Sequence, residues 1–136
     1  MPSLPAFRFH HPYADDRRRR GITVPVCLIC GESVVEVIAK VDTGTEFCLF
    51  ERSVGEELGL KMDSGVESRL STLGGSLAVY GHEVTMQTFD YQFESFVYFA
   101  QDPGINRNFL GRNGWLEHFR VAIVHYDRDL YLSPYE

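Results

Sequence analysis

The sequence predicts an all-β domain with one or two short helices, and two observations carry that expectation. Apolar and polar residues alternate through Ser33 to Val41, with Val35, Val37, Ala39 and Val41 on one side and Glu36, Lys40 and Asp42 mostly on the other. This is the period-two pattern of a half-buried strand. Runs rich in valine, isoleucine, tyrosine and phenylalanine then recur to the end of the chain, punctuated by Gly, Asn, Asp and Pro. Helical spacing is confined to two short stretches.

A chain of 136 residues is one domain by size and long enough to bury a core. Its formal charge of -6 argues against nucleic acid as a general partner. No apolar run is long enough to cross a bilayer, so no membrane is expected. The first residues lack the charged-then-apolar pattern of a secretion signal, and the expectation is a cytoplasmic protein. Three cysteines, Cys27, Cys30 and Cys48, are an odd count that suits reduced thiols.

Residues 1–20 read as an N-terminal arm with the composition of a flexible segment, and residues 21–136 as the folded domain. The arm holds Pro2, Pro5, Pro12, His10-His11 and the run Asp15-Asp16-Arg17-Arg18-Arg19-Arg20. The arginines suit either a docking patch or a solvated segment. Phe7, Phe9 and Tyr13 give the arm apolar groups to pack. Ile22 to Cys30 and Ser33 to Val41 form a predicted hairpin closed at Gly31-Glu32, with Pro25 placing the first strand at an edge. Cys27-Leu-Ile-Cys30 has the spacing of a metal or redox pair, but strand residues three apart point to opposite faces. A metal or redox protein using this pair, or two packed thiols, are the competing readings.

Phe47 to Phe50 returns to apolar strand. Ser53-Val-Gly-Glu56 fits a capping box opening a helix near Val54 to Leu58, with Gly59 placed to end it. Leu70 and Leu73 lead into Gly74-Gly75, a glycine pair suited to a hairpin tip, and Leu77 and Val79 lead out. Val84 to Phe89 and Phe93 to Ala100 read as strands, 101–108 as a loop, and 114–119 as a short helical stretch burying Trp115, Leu116 and Phe119. Val121 to Tyr126 and Leu130 to Leu132 close the chain as a hairpin around 127–129.

The chain is organised around Asp42-Thr43-Gly44-Thr45. It sets a carboxylate at the end of an apolar strand, where an unpaired charge is costly and needs a proton, a partner or a role. Three features then occur in order: Asp42-Thr43-Gly44, the glycine-tipped hairpin at Leu73-Gly74-Gly75, and Phe109-Leu110-Gly111-Arg112-Asn113 before Trp115-Leu116. From about Ile22 to Leu132 this order resembles the retropepsin family of aspartic proteases.

The resemblance implies a single-lobe acid protease barrel with a flap hairpin. Because the chain carries one Asp-Thr-Gly, it also implies a homodimer in which Asp42 of each subunit meets its twin. Such a pair shares one proton and activates water as an aspartic endopeptidase, with no metal or cofactor. The substrate would be a peptide in extended conformation. Thr43, Gly44 and Thr45 would form the active-site loop, the Thr45 hydroxyl bonding Asp42. Leu73, Gly74 and Gly75 would form the flap tip. Phe47, Leu49, Leu77, Val79 and Phe109 would line side-chain pockets. Glu46, Gly111, Arg112 and Asn113 would be structural support, through a Glu46–Arg112 ion pair. The C-terminal Tyr131 to Tyr135 would help hold the dimer. A catalytically inactive retropepsin-like domain that binds peptide or dimerises is the alternative. Thr45 departs from the alanine of retroviral enzymes, Phe47 from their aspartate, and Ser71-Thr72 from their second flap glycine pair.

Overall fold

The alternation along the first hairpin is realised in full. Strands β2 (Thr23–Cys30) and β3 (Ser33–Val41) pair antiparallel in register from Thr23 against Lys40 to Cys30 against Ser33. Gly31 turns between them at φ +61, a conformation that glycine adopts at no steric cost. Val24, Val26, Leu28, Val37, Ala39 and Val41 point into the core, and Val34, Glu36 and Lys40 point out. Pro25 lies where β2 pairs with β3 alone, since pairing with a second neighbour starts at Cys27.

The computed structural model describes residues 9–13 and 21–135. The remaining elements are β1 (Phe9–Pro12), β4 (Leu49–Phe50), α1 (Arg52–Glu57), β5 (Val66–Thr72), β6 (Gly75–Thr88), β7 (Tyr91–Ala100), β8 (Phe109–Leu110), β9 (Phe119–Val124) and β10 (Asp129–Pro134). Single 3₁₀ turns occupy Met62–Ser64, Leu116–His118 and His125–Asp127. The large sheet runs β2-β3-β8-β4-β7-β6-β5, and β2 pairs again with β6, which curls the sheet towards a barrel. A second sheet has the order β1-β10-β9. The protein is all-β, with one short α-helix among the described residues.

Four local readings change. Ser53 lies inside α1, whose N-cap is Glu51 with no side-chain cap bond, so the capping box does not form. The helix stop does follow the sequence: Leu60 N–H bonds Gly55 C=O and Gly59 N–H bonds Glu56 C=O, around Gly59 at φ +78. That is a Schellman closure. Next, β6 is one strand of 14 residues and not two. Gly81, in the gap between the two expected runs, serves close packing: a Cβ would come 2.3 Å from the Phe96 ring. The hairpin tip lies at Leu73-Gly74, because Thr72 already pairs with Gly75.

The fourth change concerns the arm. Residues 9–12 form β1 and pair with β10, and Tyr13 is buried, its hydroxyl 2.8 Å from His125 Nδ1. Phe9 stacks on Phe89 at 5.0 Å between ring centroids. Residues 1–8 and 14–20, including Arg17 to Arg20, lie outside the described residues.

The main core joins both sheets through Trp115, Phe50, Phe99, Met86, Leu110, Leu130 and Leu132. Trp115, fully buried, donates its indole N–H to Thr88 Oγ1 at 3.0 Å, so its one polar atom is satisfied. No helix among the described residues is long and apolar enough to cross a membrane.

One pH effect follows from this packing. Burial holds the His118 imidazole, stacked on Phe93 at 4.0 Å, below its ordinary value of 6.5, with Glu117 opposing the shift. Burial lowers His11 in the same way. The unfolded chain therefore takes up protons more readily than the folded one. This contribution to stability is complete above pH 6.5 and drains away as pH falls below it. Denaturant midpoints should drop from neutral to mildly acid pH, and His118→Phe should flatten part of that drop. An unchanged slope in the variant refutes the assignment.

Candidate active site

Strand β3 delivers Asp42 to a loop held from below by a second segment. Val41 pairs in parallel with Leu110, and Asp42 N–H donates to Leu110 C=O at 3.0 Å. Lys40 N–H bonds Asn108 C=O on the same side. The chain then turns tightly: Gly44 N–H donates to Asp42 Oδ1 at 2.9 Å and Thr45 N–H to Asp42 C=O at 3.2 Å. An Asp side chain that accepts from the backbone two residues on is a common way to fix such a turn. It leaves the carboxylate half-buried, with Thr43 and Gly44 exposed beside it. Oδ2 has no hydrogen-bond partner among the described residues.

The 111–113 segment is laced to this loop by backbone. Arg112 N–H bonds Thr45 C=O at 2.9 Å, Asn113 N–H bonds Glu46 C=O at 2.8 Å, and Phe47 bridges Asn113. Gly111 must lack a side chain here, since a Cβ would stand 2.3 Å from Phe47 O and 2.8 Å from Thr45 O. Four of the site residues named from sequence, Glu46, Gly111, Arg112 and Asn113, are thus brought together, but by main chain. The expected Glu46–Arg112 ion pair is not formed: both side chains are exposed, and Arg112 N–H bonds Thr45 C=O, on the residue before Glu46. Exposed ion pairs contribute little, and the backbone bonds already join the two segments. Nor does the Thr45 hydroxyl bond Asp42; Gly44 N–H takes the carboxylate instead.

The part played by Cys48 carries no signature in the sequence. The residue is fully buried; its Sγ accepts from Gly111 N–H at 3.4 Å and donates to Asn113 C=O at 3.6 Å. Burial pushes this thiol up to about 12, so it stays protonated and can do both. Ser95 Oγ adds a bond to Gly114 C=O at 2.7 Å. Cys48→Ala should cost about 1–2 kcal/mol, through the cavity and the two lost bonds. Cys48→Ser should recover part of it; equal loss in both variants, read from denaturation, rejects the bonding role. Cys27 and Cys30 do not converge: Cys27 faces out and Cys30 packs on the core. Among the described residues no three His, Cys, Asp or Glu side chains are grouped to hold a metal.

The chain runs from the loop through Phe47 into a second apolar cluster of Leu49, Val79, Tyr98 and Ala100, packed by Phe47, Leu70, Leu77, Phe96, Ile105 and Phe109. All five residues expected to line pockets fall in it. Leu49 and Val79 are buried backing, whereas Phe47, Leu77 and Phe109 are partly open. The β5–β6 hairpin rises from this cluster to Leu73, fully exposed at its tip.

The chain is similar to a solved structure of EIAV protease complexed with the inhibitor HBY-793, at a TM-score of 0.52 and 17% identity, over 73% of this chain and 88% of that one. The likeness shows a retropepsin-like fold. No family model matches the chain, and no curated protein does.

Proposed function

We propose that this chain is one half of an aspartic endopeptidase, active as a homodimer that hydrolyses peptide bonds with water held between two copies of Asp42. The observation that carries this reading is the half-open Asp42 carboxylate, fixed by Gly44 N–H in a loop braced by the 108–113 segment of a retropepsin-like fold.

A single carboxylate is a poor catalyst for amide hydrolysis, because the reaction needs a base for water and an acid for the leaving nitrogen. Two copies of Asp42 facing each other would share one proton, since two adjacent charges cannot both persist. The ionised member takes the proton of water as its oxygen attacks the carbonyl carbon. The protonated member hydrogen-bonds the carbonyl oxygen, and a proton then passes to the amine as the C–N bond breaks. The pair titrates as a unit. The Thr43 hydroxyl, without a partner inside the described chain, is free to bond the other subunit. The β5–β6 hairpin serves as the flap. An extended peptide would lie between flap and floor by strand addition, its side chains against Phe47, Leu77 and Phe109.

Cleavage of a peptide library between acid and neutral pH tests the reading. The expected result is endoproteolysis with a bell-shaped pH profile, blocked by a peptide transition-state analogue carrying a hydroxyl in place of the scissile carbonyl. No cleavage at any pH, at concentrations where sedimentation shows dimers, rejects it.

A further inference from the structure

A cleft between the two sheets is where we infer that a partner protein inserts an arginine side chain. It lies at the Tyr91 end of β7, the end of the β6–β7 ribbon away from the hairpin tip at Leu73. No residue of the Asp42 loop lines it, and the inference stands apart from the reading of Asp42. One wall is 90–93, at the start of β7 in the large sheet. The other belongs to the small sheet and its approach: 117–119, then Pro134, which pairs with Phe119, and Tyr135. The cleft holds about 630 Å³, within the size range of ligand sites.

Two kinds of group meet there. Tyr91, Phe93 and Phe119 give aromatic surface, and Tyr135 adds a ring at the rim, 57% exposed. Asp90 and Glu117 give carboxylates, and no lysine or arginine shares the lining. Glu117 is held in place, its Oε1 accepting Gly114 N–H at 3.0 Å. The Asp90 carboxylate has no partner among the described residues. Burial keeps the His118 imidazole uncharged at neutral pH, so it does not offset the two acids. Negative charge beside ring faces selects a cation, because the face of an aromatic ring is the negative end of its quadrupole.

Arginine fits better than a bare ammonium. Its guanidinium is planar, stacks on rings and meets carboxylates with a fork of donors. The chain supplies a precedent at the rim: Arg120 lies 5.2 Å from the centroid of the Tyr135 ring. That leaves the Tyr91 and Phe93 side of the cleft for a guest. The rings there are already set. Phe119 meets Tyr91 and Phe93 in T-shaped contacts at 5.6 and 5.5 Å, and His118 stacks on Phe93 at 4.0 Å. Walls fixed in advance lower the ordering cost of binding. A net charge of -6 also favours the approach of a basic partner.

Proton–nitrogen NMR of the full chain, titrated with acetyl-Gly-Arg-Gly-amide, is the test, with acetyl-Gly-Leu-Gly-amide and agmatine run beside it. Saturable shifts should cluster at 90–93, 117–119 and 135, with a Kd of about 1 mM. Combining Asp90→Asn with Glu117→Gln should weaken binding about tenfold, and the leucine peptide should not saturate. Should the double variant fail to fold, salt replaces it: raising the ionic strength to about 0.5 M should weaken wild-type binding severalfold, because exposed charges are screened. Equal binding of the leucine peptide, a double variant that binds as wild type does, indifference to salt, or no saturable shift by about 20 mM peptide overturns the inference. Agmatine bound more tightly than the peptide would make this a site for a small amine and overturns the assignment to a partner protein.

Discussion

Replacing Asp42 with asparagine should abolish peptide cleavage, lowering kcat/KM by about 10³–10⁴-fold or more, while leaving the fold intact. The amide is nearly isosteric with the carboxylate, and its oxygen can still accept Gly44 N–H, so the turn at 42–45 persists. Thermal stability should stay within about 0.5 kcal/mol of wild type, as for most half-exposed substitutions. What disappears is the group that can take a proton from water, and with it the shared proton of the pair. Mixing wild type and Asp42→Asn chains sharpens the test. If each site needs one carboxylate from each subunit, excess variant should titrate activity away. Residual cleavage in the pure variant at wild-type rates would show that another group does the chemistry.

Gly111→Ala should be the most damaging of the small substitutions, costing about 3 kcal/mol and lowering Tm by about 10 °C. The added methyl would stand 2.3 Å from Phe47 O and 2.8 Å from Thr45 O, both main-chain atoms that cannot swing aside as a flexible side chain can. Either the 109–114 segment withdraws, breaking Arg112 N–H to Thr45 C=O and Asn113 N–H to Glu46 C=O, or the Asp42 loop tilts. Both outcomes misplace the carboxylate, so activity should fall further than the loss of folded protein explains. A variant that melts as wild type does would mean that this contact relaxes easily.

Much of this architecture was readable in the residues, where local chemistry and global fold agree. Gly31 between two alternating runs, Gly59 after a short helix and the buried Trp115 each had one sensible structural meaning. The failures share a cause. The expected strands stopped short of 81–83, yet Gly81 continues β6 and makes room for Phe96, a neighbour 15 positions away that no local window sees. Ser53-x-x-Glu56 had the letters of a cap, but the cap lies two residues earlier, on Glu51. Phe9–Pro12 sits among prolines and histidines, and its strand exists only because β10 offers an edge. At the site, the sequence marked Asp42 and the Gly-Arg-Asn segment, but not that main chain would join them or that Cys48 would lie beneath. Buried single thiols carry no pattern to read.

The pairing of β1 with β10 joins the first described strand to the last. Synthesis runs from one end to the other, so β1 has no strand partner among the described elements until β10 has followed. Contacts between sequence extremes are the slowest to close, because the loop entropy must be met first. The β1-β10-β9 layer is therefore the last part of the described fold to close.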